Sequence, residues 1–166
     1  QHYQGIQSGH VCFAAHTQAA TPAAVEKALA SAKAFIYKQE KDGNWEQGPP
    51  PAGRAAAAAD AQSAKSGQYT GRTALAVLAL LNAGESSSDP RIKSAVDFMM
   101  KTPTTGVYAL GLRCSVWLML PPSPAARAAM QHDAKILMAS MKLKGIARGM
   151  YDYIPTPKTL SRSEER

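Results

Sequence analysis

The sequence is poor in cysteine, in aromatic residues and in charge. Its 166 residues include two cysteines, 7% aromatic residues and 19% charged residues. Two cysteines, Cys12 and Cys114, are too few for a disulfide scaffold or for a zinc site built from several thiolates. No stretch approaches the roughly 18 consecutive apolar residues of a membrane-spanning helix, so no transmembrane segment is predicted.

The short motifs that identify common enzyme sites are also missing. The sequence has no phosphate-binding loop, no dinucleotide-binding glycine pattern, no HExxH and no GxSxG. A carboxylic acid that stays protonated for catalysis needs an apolar site and a neighbouring carboxyl group. This sequence has no cluster of aspartates, and Asp60, Asp97, Asp133 and Asp152 each stand singly. Neither acid catalysis nor a cofactor is therefore predicted.

Positive charge is in excess, because 19 Lys and Arg residues against 12 Asp and Glu residues give a formal net charge of +7. The cations are spread along the chain, and only Lys142, Lys144 and Arg148 come close together. A nucleic-acid-binding domain concentrates its cations on one face and often interleaves aromatic side chains. Scattered cations are more typical of solvated outer helix faces, so nucleic acid is not a favoured partner.

The chain divides into three parts. Residues 1–20 show no steady periodicity and are predicted to be a flexible N-terminal arm or a leader remnant. The small residues before Thr21 suit an export cleavage site, so an exported location is slightly favoured over a cytoplasmic one. Residues 21–153 carry a helical pattern, interrupted at 46–69 by an inserted loop with consecutive prolines and an alanine run. Residues 154–166 are predicted to be a basic C-terminal tail.

Three amphipathic helices are predicted, each opened by a cap residue and a proline. These openings are Thr21-Pro22, Asp89-Pro90 and Ser123-Pro124. In the first helix, apolar side chains recur at three- and four-residue spacing and are expected to face the core. They are Val25, Ala28, Leu29, Ala32, Phe35 and Ile36.

Two further helices share a phrase that repeats along the chain, Thr-Gly-x-x-Ala-Leu at residues 70–75 and 105–110. Both are apolar on nearly every side and are expected to be buried on most sides. An amphipathic helix thus alternates with an apolar helix in a unit of about 35 residues. The pattern predicts outer helices starting at 22, 90 and 124 and inner helices starting near 71 and 106. A sixth, inner helix is expected to start near Arg148.

The phrase Gln39-x-x-x-Gly43-x-Trp45 at the end of the first helix resembles the QW motif of terpenoid cyclases. The stretches 69–84, 89–98 and 105–113 are similar to repeats of the prenyltransferase and squalene oxidase family. They look most like its bacterial repeat proteins of unassigned reaction. The resemblance covers about residues 21–153 and implies an all-α fold, a partial α/α toroid of alternating outer and inner helices. It also implies that Gln39 bonds to the backbone at a neighbouring helix start while Trp45 packs beneath the turn.

In related toroids the inner-helix ends line a central cavity, where aromatic faces stabilise carbocations or hold isoprenoid chains. The corresponding candidates for a ligand or interface lining here are Tyr69, Arg72, Tyr108, Arg113, Trp117, Tyr151 and Tyr153. The alternative is that Tyr108 and Trp117 are simply core. A charged residue on an apolar helix needs a partner or water. Arg72 and Arg113 are therefore each paired, exposed at the rim or bound to an anion.

A zinc site of the protein prenyltransferase type is only weakly supported. In that family an Asp stands two positions before the zinc-binding Cys, whereas Cys114 follows Leu112 and Arg113. His132 and Asp133 lie downstream and remain weak zinc candidates together with Cys114. The favoured interpretation of Cys114 is a small buried hydrophobic residue, and no metal is predicted.

Five helices are about half of a toroid of this family. The apolar edge that such a half-ring leaves open is therefore expected to be covered by more of the same protein or by another chain. The sequence favours a non-catalytic helical-repeat module for protein assembly or for binding an apolar or isoprenoid ligand. The alternative is a part of an isoprenoid- or lipid-processing enzyme whose catalytic residues lie in a missing segment or a partner chain. Self-association, or docking on another chain, is expected through the inner-helix side near Arg113, Trp117 and Tyr151.

Overall fold

A computed structural model describes residues 20–46 and 67–151. These residues contain five α-helices and no strand, which confirms the all-α class. The helices are α1 (Pro22–Lys38), α2 (Gly71–Asn82), α3 (Pro90–Lys101), α4 (Val107–Met119) and α5 (Pro124–Ala139). In this part of the chain no helix is long and apolar enough to cross a membrane. Most of the N-terminal arm and of the inserted loop falls outside the described residues, as do Tyr153 and the whole tail.

Three helices begin where the cap-proline signals predict. The side chains of Thr21 and Ser123 each accept a hydrogen bond from the backbone N–H three residues later, at 3.2 and 3.1 Å. Asp89 accepts from the N–H two residues later at 2.8 Å. Each bond satisfies one of the N–H groups that have no partner within the helix. The predicted starts of α1, α3 and α5 are confirmed.

Helices α2 and α4, which carry the repeated phrase, lie side by side and run in the same direction. At their N-terminal ends, a Cβ placed on Gly71 would lie 3.3 Å from the Cβ of Ala109. At their C-terminal ends, the Asn82 amide donates to the Met119 sulfur at 3.4 Å. The two copies of the repeat therefore occupy equivalent, parallel positions.

Helices α3 and α5 run in the opposite direction to α2 and α4. The ring of Phe98 in α3 meets Tyr69, just before α2, edge-on at 5.9 Å, so α3 runs antiparallel to α2. Residues 120–123 join α4 to α5 in a short connection that makes these two helices antiparallel neighbours. The central core comes from α2, α3, α4 and the turn after α1. It consists of Trp45, Ala74, Val77, Leu80, Ile92, Ala95, Met99, Val116 and Trp117.

The expectation that the all-apolar helices are buried on most sides is wrong for one side of each. Leu118 of α4 is 76% exposed, whereas Val25 of α1 is 51% exposed and Ile92 of α3 is fully buried. Leu75 of α2 is also exposed. The physical reason is that α2 and α4 cover each other and are covered by α3 and α5 from behind. On the opposite side no helix of the described residues covers them.

Helix α1 does not bury its apolar stripe as expected. None of its residues is buried, and only Ile36 and Tyr37 pack against the core cluster. Its last turns are held to the α2–α3 connection by polar contacts. Lys33 forms an ion pair with Glu85 at 2.8 Å, and the Tyr37 hydroxyl donates to the same carboxylate at 2.7 Å. The amphipathic pattern identified the apolar side of α1, but most of that side has no cover within the described residues.

The expected sixth helix near Arg148 is absent from the described residues. Residues 141–151 form a loop in which Lys142 N–H donates to the Met150 carbonyl at 2.9 Å and Gly149 N–H donates to the Lys142 carbonyl at 2.8 Å. Gly145 and Gly149 have positive φ angles of 76° and 84°. That left-handed backbone is incompatible with continuing a right-handed helix.

Candidate functional site

The starts of α2 and α4 are capped by side chains from distant segments. Thr70 and Gly106, the residues at the N-cap positions, provide no side-chain cap. For α2, the carboxylate of Glu46 accepts from both the backbone N–H and the hydroxyl of Thr73 at 3.0 Å. For α4, the Gln68 amide oxygen accepts from the Ala109 N–H at 3.1 Å. The same end of each parallel helix is therefore fixed by an equivalent contact.

This arrangement changes the role expected for the QW-like motif. Gln39 is exposed and ends α1 as its C-cap, and the side chain that bonds to the next helix start is Glu46. Trp45 is buried, and its ring N–H donates to the Ile36 carbonyl at 2.6 Å. Gly43 has a φ of 78°, and a Cβ there would overlap the Ser94 hydroxyl. Trp45 and Gly43 thus have tight structural positions, whereas Gln39 does not make the expected bond.

Replacing Glu46 by glutamine should remove one part of the pH dependence of stability. Burial raises the pKa of the Glu46 carboxyl above its ordinary value of 4.5, although the Thr73 bonds lower it. The folded protein therefore binds this proton more readily, so the free energy of unfolding should rise as pH falls from neutral toward 4.5. Denaturant unfolding at several pH values should show this rise in wild type and not in Glu46→Gln. Exposed Glu26→Gln is the control, and an unchanged profile in Glu46→Gln would contradict the assignment.

A buried ion pair joins α4 to α5. The guanidinium of Arg113 donates to both carboxylate oxygens of Asp133, at 2.8 and 3.2 Å, and both side chains are nearly fully buried. The ring N–H of Trp117 donates to the same carboxylate at 2.7 Å. Such a pair is strongly oriented because each partner is satisfied within the protein.

The remaining nitrogen of the Arg113 guanidinium bonds to the segment that joins α3 to α4. It donates to the Thr102 carbonyl at 2.9 Å and to the Thr104 hydroxyl at 2.8 Å. The hydroxyls of Thr104 and Thr70 are 2.7 Å apart, which extends the network to the start of α2. Within the described residues no buried side-chain N or O atom is left without a partner. The network therefore orients α2, α4 and α5 relative to one another.

This network corrects the prediction for two of the residues that were expected to line a cavity or an interface. Arg113 and Trp117 are buried inside the chain, so they do not line an open cavity or interface. The physical reason is Asp133, which supplies the partner that Arg113 needs and the acceptor that the indole of Trp117 needs. Of the two arginines on apolar helices, Arg113 is paired with Asp133, whereas Arg72 is exposed and its charge acts on the Glu46 carboxyl, whose pKa it lowers.

The weak zinc candidates are not arranged as a zinc site. Asp133 uses both carboxylate oxygens for Arg113 and Trp117, and His132 is exposed on the surface of α5. Burial, and then the nearby Asp133 charge, raise the pKa of the Cys114 thiol, which disfavours the thiolate that binds a metal. Across residues 20–46 and 67–151, no three His, Cys, Asp or Glu residues lie close enough to hold an ion together.

The uncovered sides of α2 and α4 form one surface, which we call the open face. Its positions recur three or four residues apart along α2, as expected for one side of a helix. The open face consists of Arg72, Leu75, Ala79 and Asn82 of α2 and of Tyr108, Leu118 and Met119 of α4. Sequence analysis identified Arg72 and Tyr108, but it missed Leu75, Leu118 and Met119. On helices that are apolar all round, the sequence does not show which side is uncovered.

A small cavity lies at the N-terminal end of the open face. Its volume is about 210 Å³, and it is lined by Gln68, Gly71, Arg72, Leu75 and Tyr108. The structure thus brings the candidates Arg72 and Tyr108 together. Two other candidates lie apart, since Tyr69 packs on Phe98 and Tyr151 is exposed at the base of the 141–151 loop.

Comparison with known proteins assigns no family to the chain. The resemblance to terpenoid cyclases therefore depends on the sequence motifs alone and stays a prediction. No family model, no curated protein and no solved structure matches the chain.

Proposed function

We propose that the protein is a non-catalytic helical-repeat module that assembles with further copies of itself through the open face. The observation that carries this proposal is the row of exposed apolar side chains on two parallel helices. Leu75, Tyr108, Leu118 and Met119 are all exposed there. Proteins that stay monomeric rarely expose a contiguous apolar patch larger than a few hundred Å².

The energetics of covering the open face favour association. Complete burial of a large apolar side chain contributes roughly 1.5–3 kcal/mol. Leu75 and Tyr108 line the same cavity and Met119 contacts Asn82, so one partner surface can cover apolar side chains of both helices. Tyr and Arg are enriched at the energetic centres of protein interfaces, and the open face offers Tyr108 and Arg72. A partial α/α toroid, in which α2 and α4 are inner helices, would present this face toward the middle of the ring.

The size of the cavity favours a protein partner over an enclosed small molecule. Small-molecule sites have volumes of roughly 300–1,000 Å³, whereas the cavity beside Arg72 and Tyr108 has about 210 Å³. Binding of an apolar ligand is the second candidate function, and it requires a partner surface that closes over the open face. The alternative of an isoprenoid-processing enzyme has less support, because no residue of the open face is an acid, a thiol or an imidazole.

The test is sedimentation equilibrium from low to high micromolar concentration. We expect wild-type protein to associate as the concentration rises. Leu118→Asp should stay monomeric, because a carboxylate buried in an apolar interface is left unpaired and desolvated. Because Leu118 is largely exposed, the variant should retain its helix content and thermal stability.

The matched control is Phe35→Asp, which places the same charge at an exposed apolar residue of α1 outside the open face. It should associate like wild type. Monomeric wild-type protein at high micromolar concentration would contradict self-association. Loss of association in Phe35→Asp but not in Leu118→Asp would assign the interface to α1 instead.

A further inference from the structure

The loop of residues 141–151 projects an apolar tip into solvent. Ile146 is fully exposed, and Leu143 and Met150 are exposed as well. Backbone hydrogen bonds hold the shape of the loop, including Arg148 N–H to the Gly145 carbonyl at 3.1 Å. The base is closed by an isolated bridge between Met141 and Tyr151. An ordered loop therefore holds several large apolar side chains away from the protein.

The same loop carries only positive charge. Lys142, Lys144 and Arg148 lie between its two ends, and no Asp or Glu occurs from residue 134 to residue 151. Lys144 and Arg148 are exposed. The loop thus combines an apolar tip with flanking cations, and Tyr151 stands at its base.

This combination fits one class of surface better than others. Protein interfaces are depleted in lysine, and nucleic acid would be bound by the cations without any use for the exposed Ile146. The headgroup region of an anionic bilayer attracts Lys and Arg, its acyl boundary accepts apolar side chains, and Tyr is enriched between the two. The positive charge of the loop and its apolar tip therefore both favour an anionic bilayer as the partner.

We propose that the 141–151 loop is a docking site for an anionic lipid bilayer surface. Ile146 and Leu143 insert at the boundary between headgroups and acyl chains, while Lys144 and Arg148 contact lipid phosphates and carboxylates. The loop binds at the surface and does not span the bilayer. This inference does not depend on the open face, which lies on α2 and α4.

The experiment is co-sedimentation of the full chain with lipid vesicles. Vesicles of mixed phosphatidylserine and phosphatidylcholine should bind the protein, and vesicles of phosphatidylcholine alone should bind it much more weakly. Raising the salt concentration should weaken binding, because salt screens the attraction of cations to the surface. Equal binding to both kinds of vesicle, or no binding to either, would overturn the proposal.

Two variants test the two halves of the loop. Each cation near an anionic surface contributes a factor of about five to membrane partitioning, so Lys144→Ala with Arg148→Ala should weaken binding about 25-fold. Ile146→Asp should weaken it about tenfold or more, because the apolar insertion is lost. Both changes affect exposed side chains, and circular dichroism should show unchanged helix content.

The controls make the same changes elsewhere. Lys93→Ala removes an exposed cation of α3 and Phe35→Asp replaces an exposed apolar residue of α1, and both should bind vesicles like wild type. Vesicle binding that survives both loop variants overturns the proposal and assigns binding to another part of the chain. Binding to duplex DNA that is lost with the two cations but kept in Ile146→Asp, without vesicle binding, would assign the loop to nucleic acid instead.

Discussion

Asp133→Ala should lower the free energy of unfolding by about 3–5 kcal/mol, because it leaves a buried charge without its partner. Arg113 keeps its bonds to Thr102 and Thr104, but its guanidinium loses the carboxylate with which it pairs. The ring N–H of Trp117 also loses its acceptor. Total stabilities of single domains are about 5–15 kcal/mol, so urea denaturation should show a large loss.

The controls separate the missing charge from the missing volume. Asp97→Ala removes an exposed carboxylate of α3 and should change stability by less than about 0.5 kcal/mol. Arg113→Met combined with Asp133→Leu removes both charges and should recover most of the loss, since an apolar pair of similar volume often replaces a buried ion pair. A loss below about 1 kcal/mol in Asp133→Ala would contradict the proposed role of this ion pair in orienting the helices.

Trp45→Ala should lower the free energy of unfolding by about 3–5 kcal/mol, the usual cost of truncating a buried Trp. It should also release α1 from the rest of the protein. Helix α1 buries none of its own residues, and the indole N–H of Trp45 bonds to the carbonyl of Ile36 near its end. Tyr37 packs on the same ring, with centroids 6.3 Å apart. Hydrogen exchange should show loss of amide protection across α1.

Conservative and distant variants serve as controls for Trp45. Trp45→Phe keeps most of the packing and loses one hydrogen bond, which costs about 0.5–1.5 kcal/mol plus the lost volume. Exposed Phe35→Ala on α1 should cost less than about 0.5 kcal/mol. Full protection of α1 in Trp45→Ala would show that the ion pair between Lys33 and Glu85 holds the helix without Trp45.

Local signals predicted most of the helical architecture. The cap-proline pairs placed the starts of α1, α3 and α5, since both residue types act within one helical turn. The repeated Thr-Gly-x-x-Ala-Leu phrase predicted two equivalent helices, and α2 and α4 lie parallel and adjacent. The toroid itself depends on a resemblance that no comparison supports, and it remains a proposal.

The ion pair between Arg113 and Asp133 has a signal in the sequence. Arg113 stands on an apolar helix, and Asp133 falls on the same side of α5 as the inward Ala126 and Met130. Two opposite charges at inward positions of neighbouring helices predict a buried pair. The weak zinc prediction instead depends on the adjacency of Asp133 to His132 in the sequence, and His132 lies on the exposed side of α5.

Other parts of the site had no local signal. Glu46 and Gln68 cap helix starts 27 and 41 residues away, through bonds that depend on the path of the intervening chain. Likewise, an apolar side of a helix shows where a partner is favoured, but its sequence does not show whether one is present. For this reason the helical pattern predicts covered positions for Val25 and Leu118, and both are exposed.

The central claim, that the open face is an association surface, is tested most directly by the chemical accessibility of position 118. Leu118→Cys, in a chain that also carries Cys12→Ser and Cys114→Ser, places one thiol on the open face. Its alkylation should be fast in dilute protein and slow at high concentration, because association covers the thiol. A matched chain with Phe35→Cys should react fast at both concentrations. Equal rates at position 118 in dilute and concentrated protein would contradict the claim.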